Sequence, residues 1–164
     1  MTKKRIITGI CVLFAIIVCF ALYNILFPGN FKVSEDEIAV RIKLDLNEDV
    51  GLVVYDYEID GNEGGGGVSN ADKSLLKRNE ELIITWSKEE LKEHDLIREV
   101  DSDHYPFMMR FGIITEYVDP NFENKYEEDI TRYLEPIEWE AYFGKEYIVH
   151  ITGDKTNGYS ITME

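Results

Sequence analysis

The stretch that decides the fold is Ile38–Leu46, IAVRIKLDL. Ile38, Val40, Ile42, Leu44 and Leu46 alternate with Ala39, Arg41, Lys43 and Asp45. A period of two places one set on each side of an extended chain, so this is a strand with one apolar and one more polar face. Asn47-Glu48-Asp49 follows as turn chemistry, and Val50–Ile59 is again β-branched and aromatic. Together they predict an antiparallel hairpin.

The same reading extends outward to the end of the chain. Leu82–Trp86, Phe107–Val118, Ile137–Phe143, Tyr147–Thr152 and Tyr159–Met163 read as further strands. Gly144-Lys145-Glu146 is expected to turn, and Glu99–Tyr105 to loop. Ser87-Lys88-Glu89-Glu90 has the spacing of a capping box, in which a serine hydroxyl and a glutamate three residues later satisfy the first amides of a helix. Phe122, Tyr126, Ile130 and Leu134 recur every four residues, and Asp119-Pro120 precedes them as a cap. A short helix is expected near residues 121–134, ending before Pro136. The expected fold is mainly β: an antiparallel two-layer sandwich, immunoglobulin-like in outline, with one short helix, behind an N-terminal transmembrane helix.

That N-terminal helix is read from Ile6 to Phe27, 22 residues interrupted only by Thr8, Gly9, Tyr23 and Asn24. As a helix it would span about 33 Å, the thickness of a bilayer's hydrocarbon core. Ile6, Phe14 and Phe20 would face lipid, with Tyr23 and Phe27 toward the outer interface. Lys3, Lys4 and Arg5 precede the run and set the N-terminus in the cytoplasm. The expected organisation is a cytoplasmic stub over 1–5, a signal anchor over 6–27, a linker over 28–37 and an exported acidic domain over 38–164. A cleaved secretory signal is the rival, but the apolar run continues past its best cleavage point at Ala21.

Charge narrows the function. The 164 residues carry 17 Lys and Arg against 32 Asp and Glu, a net of −15. With Lys3, Lys4 and Arg5 set apart, 14 basic and 32 acidic side chains remain, a net of −18. A nucleic-acid binder needs a basic stripe to neutralise phosphates, so no nucleic-acid partner is expected. An acidic field instead accelerates encounter with cationic partners. A composition 45% hydrophobic and 12% aromatic is too apolar for a disordered acidic chain. Both cysteines, Cys11 and Cys19, fall in the apolar run, so the domain has no disulfide. No asparagine opens an Asn-x-Ser/Thr site. Both features favour a bacterial cell surface.

Catalytic chemistry lacks its residues. The histidines His94, His104 and His150 lack metal-ligand spacing and have no cysteine to support them. The tetraglycine Gly64–Gly67 is not followed by Gly-Lys-Ser/Thr, so within 60–73 it is expected to be a mobile loop or a point of close backbone approach rather than a phosphate cradle. Asp60, Asn62, Glu63 and Asp72 are the candidate calcium ligands, although Ala71 stands where a calcium loop places its closing glutamate. Glu138 and Glu140 flank Trp139; on a strand both face one side, and water is the expected side, with Trp139 inward. Tyr55, Tyr57 and Trp86 are the candidate partner contacts. The expected role is a membrane-anchored, extracytoplasmic binding module for a cationic peptide, a protein or a wall glycan. An exported carboxylate-dependent hydrolase and a tethered accessory subunit are the alternatives.

Overall fold

In a computed structural model of the chain, residues 31–97, 102–116 and 130–164 are described. Residues 6–27, with their anchor, and most of the helix expected near 121–134 lie outside the described residues. Among the described residues no helix is long and apolar enough to cross a membrane.

Val33–Glu164 forms one compact unit, with nine strands and one short helix among its described residues. The strands are β1 (Glu37–Leu46), β2 (Leu52–Ile59), β3 (Asn62–Val68), β4 (Glu81–Ser87), β5 (His104–Ile114), β6 (Thr131–Tyr133), β7 (Ile137–Tyr142), β8 (Lys145–Asp154) and β9 (Gly158–Met163). The helix α1 (Lys88–Glu93) follows β4. It starts where the capping box predicts: the Ser87 hydroxyl accepts from the Glu90 amide at 3.1 Å.

The strands form two sheets. One has the order β4-β1-β8-β9; the other runs β3-β2-β5-β6, with β7 paired to β5 beside β6. β1 and β2 are therefore not a hairpin. β1 pairs with β4 and β8, while β2 pairs with β3 and β5. The chain changes sheet between them, fixed by Asn47 N–H to the Gly153 carbonyl and Gly51 N–H to the Ile114 carbonyl. Nor is the fold wholly antiparallel, because β1 and β8 run parallel. The immunoglobulin outline fails for the same reason: it requires its first two strands side by side in one sheet. The turn between β7 and β8 likewise carries the chain from one sheet to the other, with Gly144 at φ +75°.

One core lies between the sheets. Ile38, Val40, Ile42 and Leu44 of β1 are at most 1% exposed, as the alternation predicts. They belong to one cluster with Val53, Ile59, Phe107, Met109 and Phe111 of the other sheet. The opposite face of β1 is also covered. Arg41 is only 7% exposed, held by Glu81 at 2.9 Å and Glu146 at 2.7 Å. Its guanidinium thus ties the outer side of β1 to both neighbours, β4 and β8. A cation so placed depends on its carboxylates, since an unpaired buried charge is expensive.

The glycine run is a strand, not a mobile loop, and it meets the close approach that was the other expectation. Tyr55 and Tyr57 of β2 pair with Gly66 and Gly64 of β3. A Cβ on Gly66 would lie 2.5 Å from the Tyr55 hydroxyl oxygen, and one on Gly64 2.4 Å from Tyr57 Cζ. The two rings occupy the space that side chains on β3 would need, and glycine is what leaves it to them. A further correction concerns Thr131–Tyr133, read as the end of a helix and found as β6, paired with Gly112–Ile114. The predicted apolar positions Ile130 and Leu134 are buried nonetheless, each 6% exposed. Ile130 packs with Leu52 and Ile114 in a small second cluster.

Exposed turns carry the acid sensitivity. Asp154 accepts from Asn157 Nδ2 at 3.0 Å, from the Asn157 amide at 2.8 Å, from Asn47 Nδ2 at 3.0 Å and from the Thr156 amide at 2.9 Å. These bonds hold its carboxyl down to about 2. Lys77 and the Arg78 amide lower Asp49 in the same sense, and Ser74 lowers Asp72. A depressed folded-state pKa adds stability that is complete above the ordinary carboxylate range and disappears as pH falls through the folded value. The thermal midpoint is therefore expected to drop between pH 5 and pH 2. Asp154→Asn should show a shallower drop, measured by circular dichroism melts across that interval.

Candidate functional site

The pleat of the five-stranded sheet sends alternate residues to its outer face. Tyr55, Tyr57 and Ile59 point inward, so Asp56 and Glu58 point outward. The register then places Glu58 of β2 beside Met108 of β5, and Met108 beside Glu138 of β7. Pro106 of β5 lies beside Glu140. These side chains surround a shallow depression of about 420 Å³, lined by Glu58, Gly61, Pro106, Phe107, Met108, Glu138, Trp139 and Glu140. Three carboxylates from two strands border an apolar floor, and no cationic side chain among the described residues lines it. Glu138 and Glu140 are exposed, as expected of them.

The neighbouring row is already neutralised. Arg110 pairs with Asp56 at 2.7 Å and lies 5.1 Å from the centre of the Tyr133 ring. The guanidinium–carboxylate bond raises Arg110 above its ordinary value. Glu58, Glu138 and Glu140 have no such partner among the described residues. The arrangement suits a lysine or arginine side chain, with its aliphatic stem on Met108 and Pro106 and its charged head among the carboxylates.

Trp139 faces inward, its ring centre 4.8 Å from Phe107 and 5.5 Å from Tyr147. Its indole N–H is buried without a hydrogen-bond partner among the described residues. The aromatic candidates occupy the core. Trp86 is 4% exposed and meets Tyr55 edge-on at 6.2 Å, Tyr57 at 5.2 Å and Phe107 at 5.2 Å. Tyr55 and Tyr57 are half-buried against the same cluster. Burial raises the Tyr55 hydroxyl above its ordinary pKa. Trp86 is enclosed between the sheets, while Tyr55 and Tyr57 pack against it and remain partly exposed.

The candidate calcium ligands do not converge. Asp60 sits in the β2–β3 turn, and Asp72 follows the far end of β3. The intervening strand is on the order of 20 Å of extended backbone. Asn62 Nδ2 donates to the Leu96 carbonyl at 3.0 Å, and Glu63 is exposed on β3. Asp72 accepts from the Ser74 amide at 3.0 Å and its hydroxyl at 2.6 Å. Among the described residues no group of three His, Cys, Asp or Glu is placed to hold a metal ion. His104 stacks on Tyr142 at 5.0 Å. His150 lies on the outer face of the four-stranded sheet, where Nδ1 is 2.8 Å from Asp45. His94 forms the C-cap of α1.

These features define a two-sheet β domain with an anionic depression on one outer face. No family profile and no curated protein matches the chain. Among solved structures it is similar to pneumolysin (7% identity, TM-score 0.37) and to a Gram-negative toxin (10% identity, TM-score 0.36). It is also similar to a structure described as a trapped toxin (6% identity, TM-score 0.37). The matches cover 78–79% of this chain and 23% of each of the other chains. The chain thus spans about a quarter of the length of the structures it matches.

Proposed function

We propose that this chain is a membrane-anchored, extracytoplasmic binding module. Residues 6–27 form its anchor, and a two-layer β-sandwich presents an acidic face to a cationic peptide or protein segment. The observation that carries the reading is the depression of Glu58, Glu138 and Glu140 around Met108 and Pro106, three carboxylates with an apolar floor and no cation among the described residues that line it. The surplus of acidic over basic residues supports it by drawing cationic partners toward the domain. The apolar run behind Lys3, Lys4 and Arg5 supports the placement.

An octalysine peptide, titrated against the full chain in neutral detergent, is expected to bind, and to bind less tightly as salt rises. The triple substitution Glu58→Gln, Glu138→Gln and Glu140→Gln should weaken it about tenfold. Equal affinity for both proteins would reject this face. For placement, protease added to intact cells should digest residues 31–164. Their survival without permeabilisation would reject an external domain.

A further inference from the structure

β3 lies at one edge of the five-stranded sheet. The turn before it holds two residues, Asp60 at φ 52° and Gly61 at φ 76°, the geometry of a type I′ hairpin. In that hairpin the closing pair, Ile59 and Asn62, exchanges both hydrogen bonds, and bonded and non-bonded pairs alternate from there. Asn62, Gly64, Gly66 and Val68 therefore bond inward to β2. The N–H and C=O groups of Glu63, Gly65 and Gly67 point to the open edge. All three residues are exposed, and no backbone bond from them leaves the ladder among the described residues.

Exposed edges are normally guarded by lysine, proline or a bulge. β3 has none of these: its sequence is NEGGGGV, and its register with β2 runs from Asn62 to Val68 without a slip. The tyrosine rings account for glycine at 64 and 66 only. At 65 and 67 a Cβ would meet its nearest neighbours at 3.1 Å and 3.2 Å, a tighter fit than usual but not an overlap. Glycine there leaves the outward backbone bare.

We propose that β3 receives an extended basic segment of a partner protein as an added strand, paired through the outward groups of Glu63, Gly65 and Gly67. The inference rests on the cationic partner proposed above and adds how that partner is held. Backbone pairing supplies the register, and charge selects the occupant. β2 and β3 contain no lysine or arginine, and beside Asp56, which Arg110 pairs, they carry Glu58 and Glu63, with Asp60 in the turn between them. A second copy of the chain, with net charge −15, meets repulsion at this edge.

The test uses an alternating Lys-Val octapeptide and the full chain in neutral detergent. Binding should slow hydrogen exchange at the Glu63, Gly65 and Gly67 amides at least tenfold. Gly65→Pro removes an outward N–H while leaving the inward ladder intact, and should weaken binding at least tenfold. Because proline could disturb β3, the same peptide N-methylated at alternate residues, which blocks pairing along one edge, is tested on the unmodified protein and should bind at least tenfold more weakly. Peptide bound with those three amides unprotected would overturn the added strand while leaving the acidic face standing. Binding that is insensitive to the triple glutamine substitution but protects the amides would do the reverse. Failure of both peptides to bind would overturn both readings. Protection that depends on protein concentration without peptide would assign the edge to a second copy and overturn the proposal.

Discussion

Trp86→Ala is expected to lower the thermal midpoint by roughly 12 °C, corresponding to a loss of about 4 kcal/mol. Trp86 is 4% exposed, and its ring meets Tyr55, Tyr57 and Phe107 from the opposite sheet. Truncation removes a large apolar surface and leaves a cavity that β1 and β5, held in their ladders, cannot close. Trp86→Phe should recover more than half of the loss. If Trp86 were instead a partner contact, the alanine variant would keep its melting temperature and lose affinity for a basic peptide. Melting and peptide titration on one sample separate the two outcomes.

The second large effect is expected at Gly153. Its φ is +110°, and a Cβ there would stand 2.2 Å from the Gly158 carbonyl oxygen. This oxygen belongs to backbone across the β8–β9 turn, so no rotamer change relieves the overlap. Gly153→Ala must distort the point where β8 ends and where Asn47 N–H reaches the Gly153 carbonyl. A cost of about 3 kcal/mol follows from the combined backbone strain and overpacking. Gly158→Ala, with φ +89° and open space around its Cβ, should cost about 1 kcal/mol from backbone strain alone. Denaturant melts of the two variants should rank in that order. Equal midpoints would mean that the overlap at Gly153 relaxes without cost.

Several misreadings have a common physical cause. At the described end of the expected helix, Ile130 and Leu134 stand four apart, and four is also a multiple of two, so this spacing fits one face of a strand as well as a helix. Thr131–Tyr133 became a strand because β5 offered an open edge at Gly112–Ile114. The glycine run looked structureless because glycine carries no strand preference of its own. What orders it is a pair of tyrosines seven and eleven residues earlier, at Tyr57 and Tyr55, which need the room. Arg41 read only as a member of the more polar face of β1. Its burial depends on Glu81 and Glu146, which pairing alone brings to its sides.

The candidate site was legible in part. Glu138 and Glu140 are singled out by their flanking of Trp139, and the period of two is enough to turn them outward. Glu58 carried a usable signal as well, since it alternates with Tyr55 and Tyr57 along β2. Nothing local joins Glu58 to Glu138, because the residue between them is Met108 of a third strand.

Alternation, glycine, serine caps and charge are properties of neighbours along the chain. They alone established that this protein is mainly β, that its first strand turns Ile38, Val40 and Ile42 inward, that a helical turn begins at Ser87, and that the domain is acidic. Strand partners are chosen across tens of residues by competing edges and shared apolar faces. Only the tertiary structure could decide that β1 runs parallel to β8, that β1 and β2 part into different sheets, and that Glu58 and Met108 come to share one face with Glu138 and Glu140.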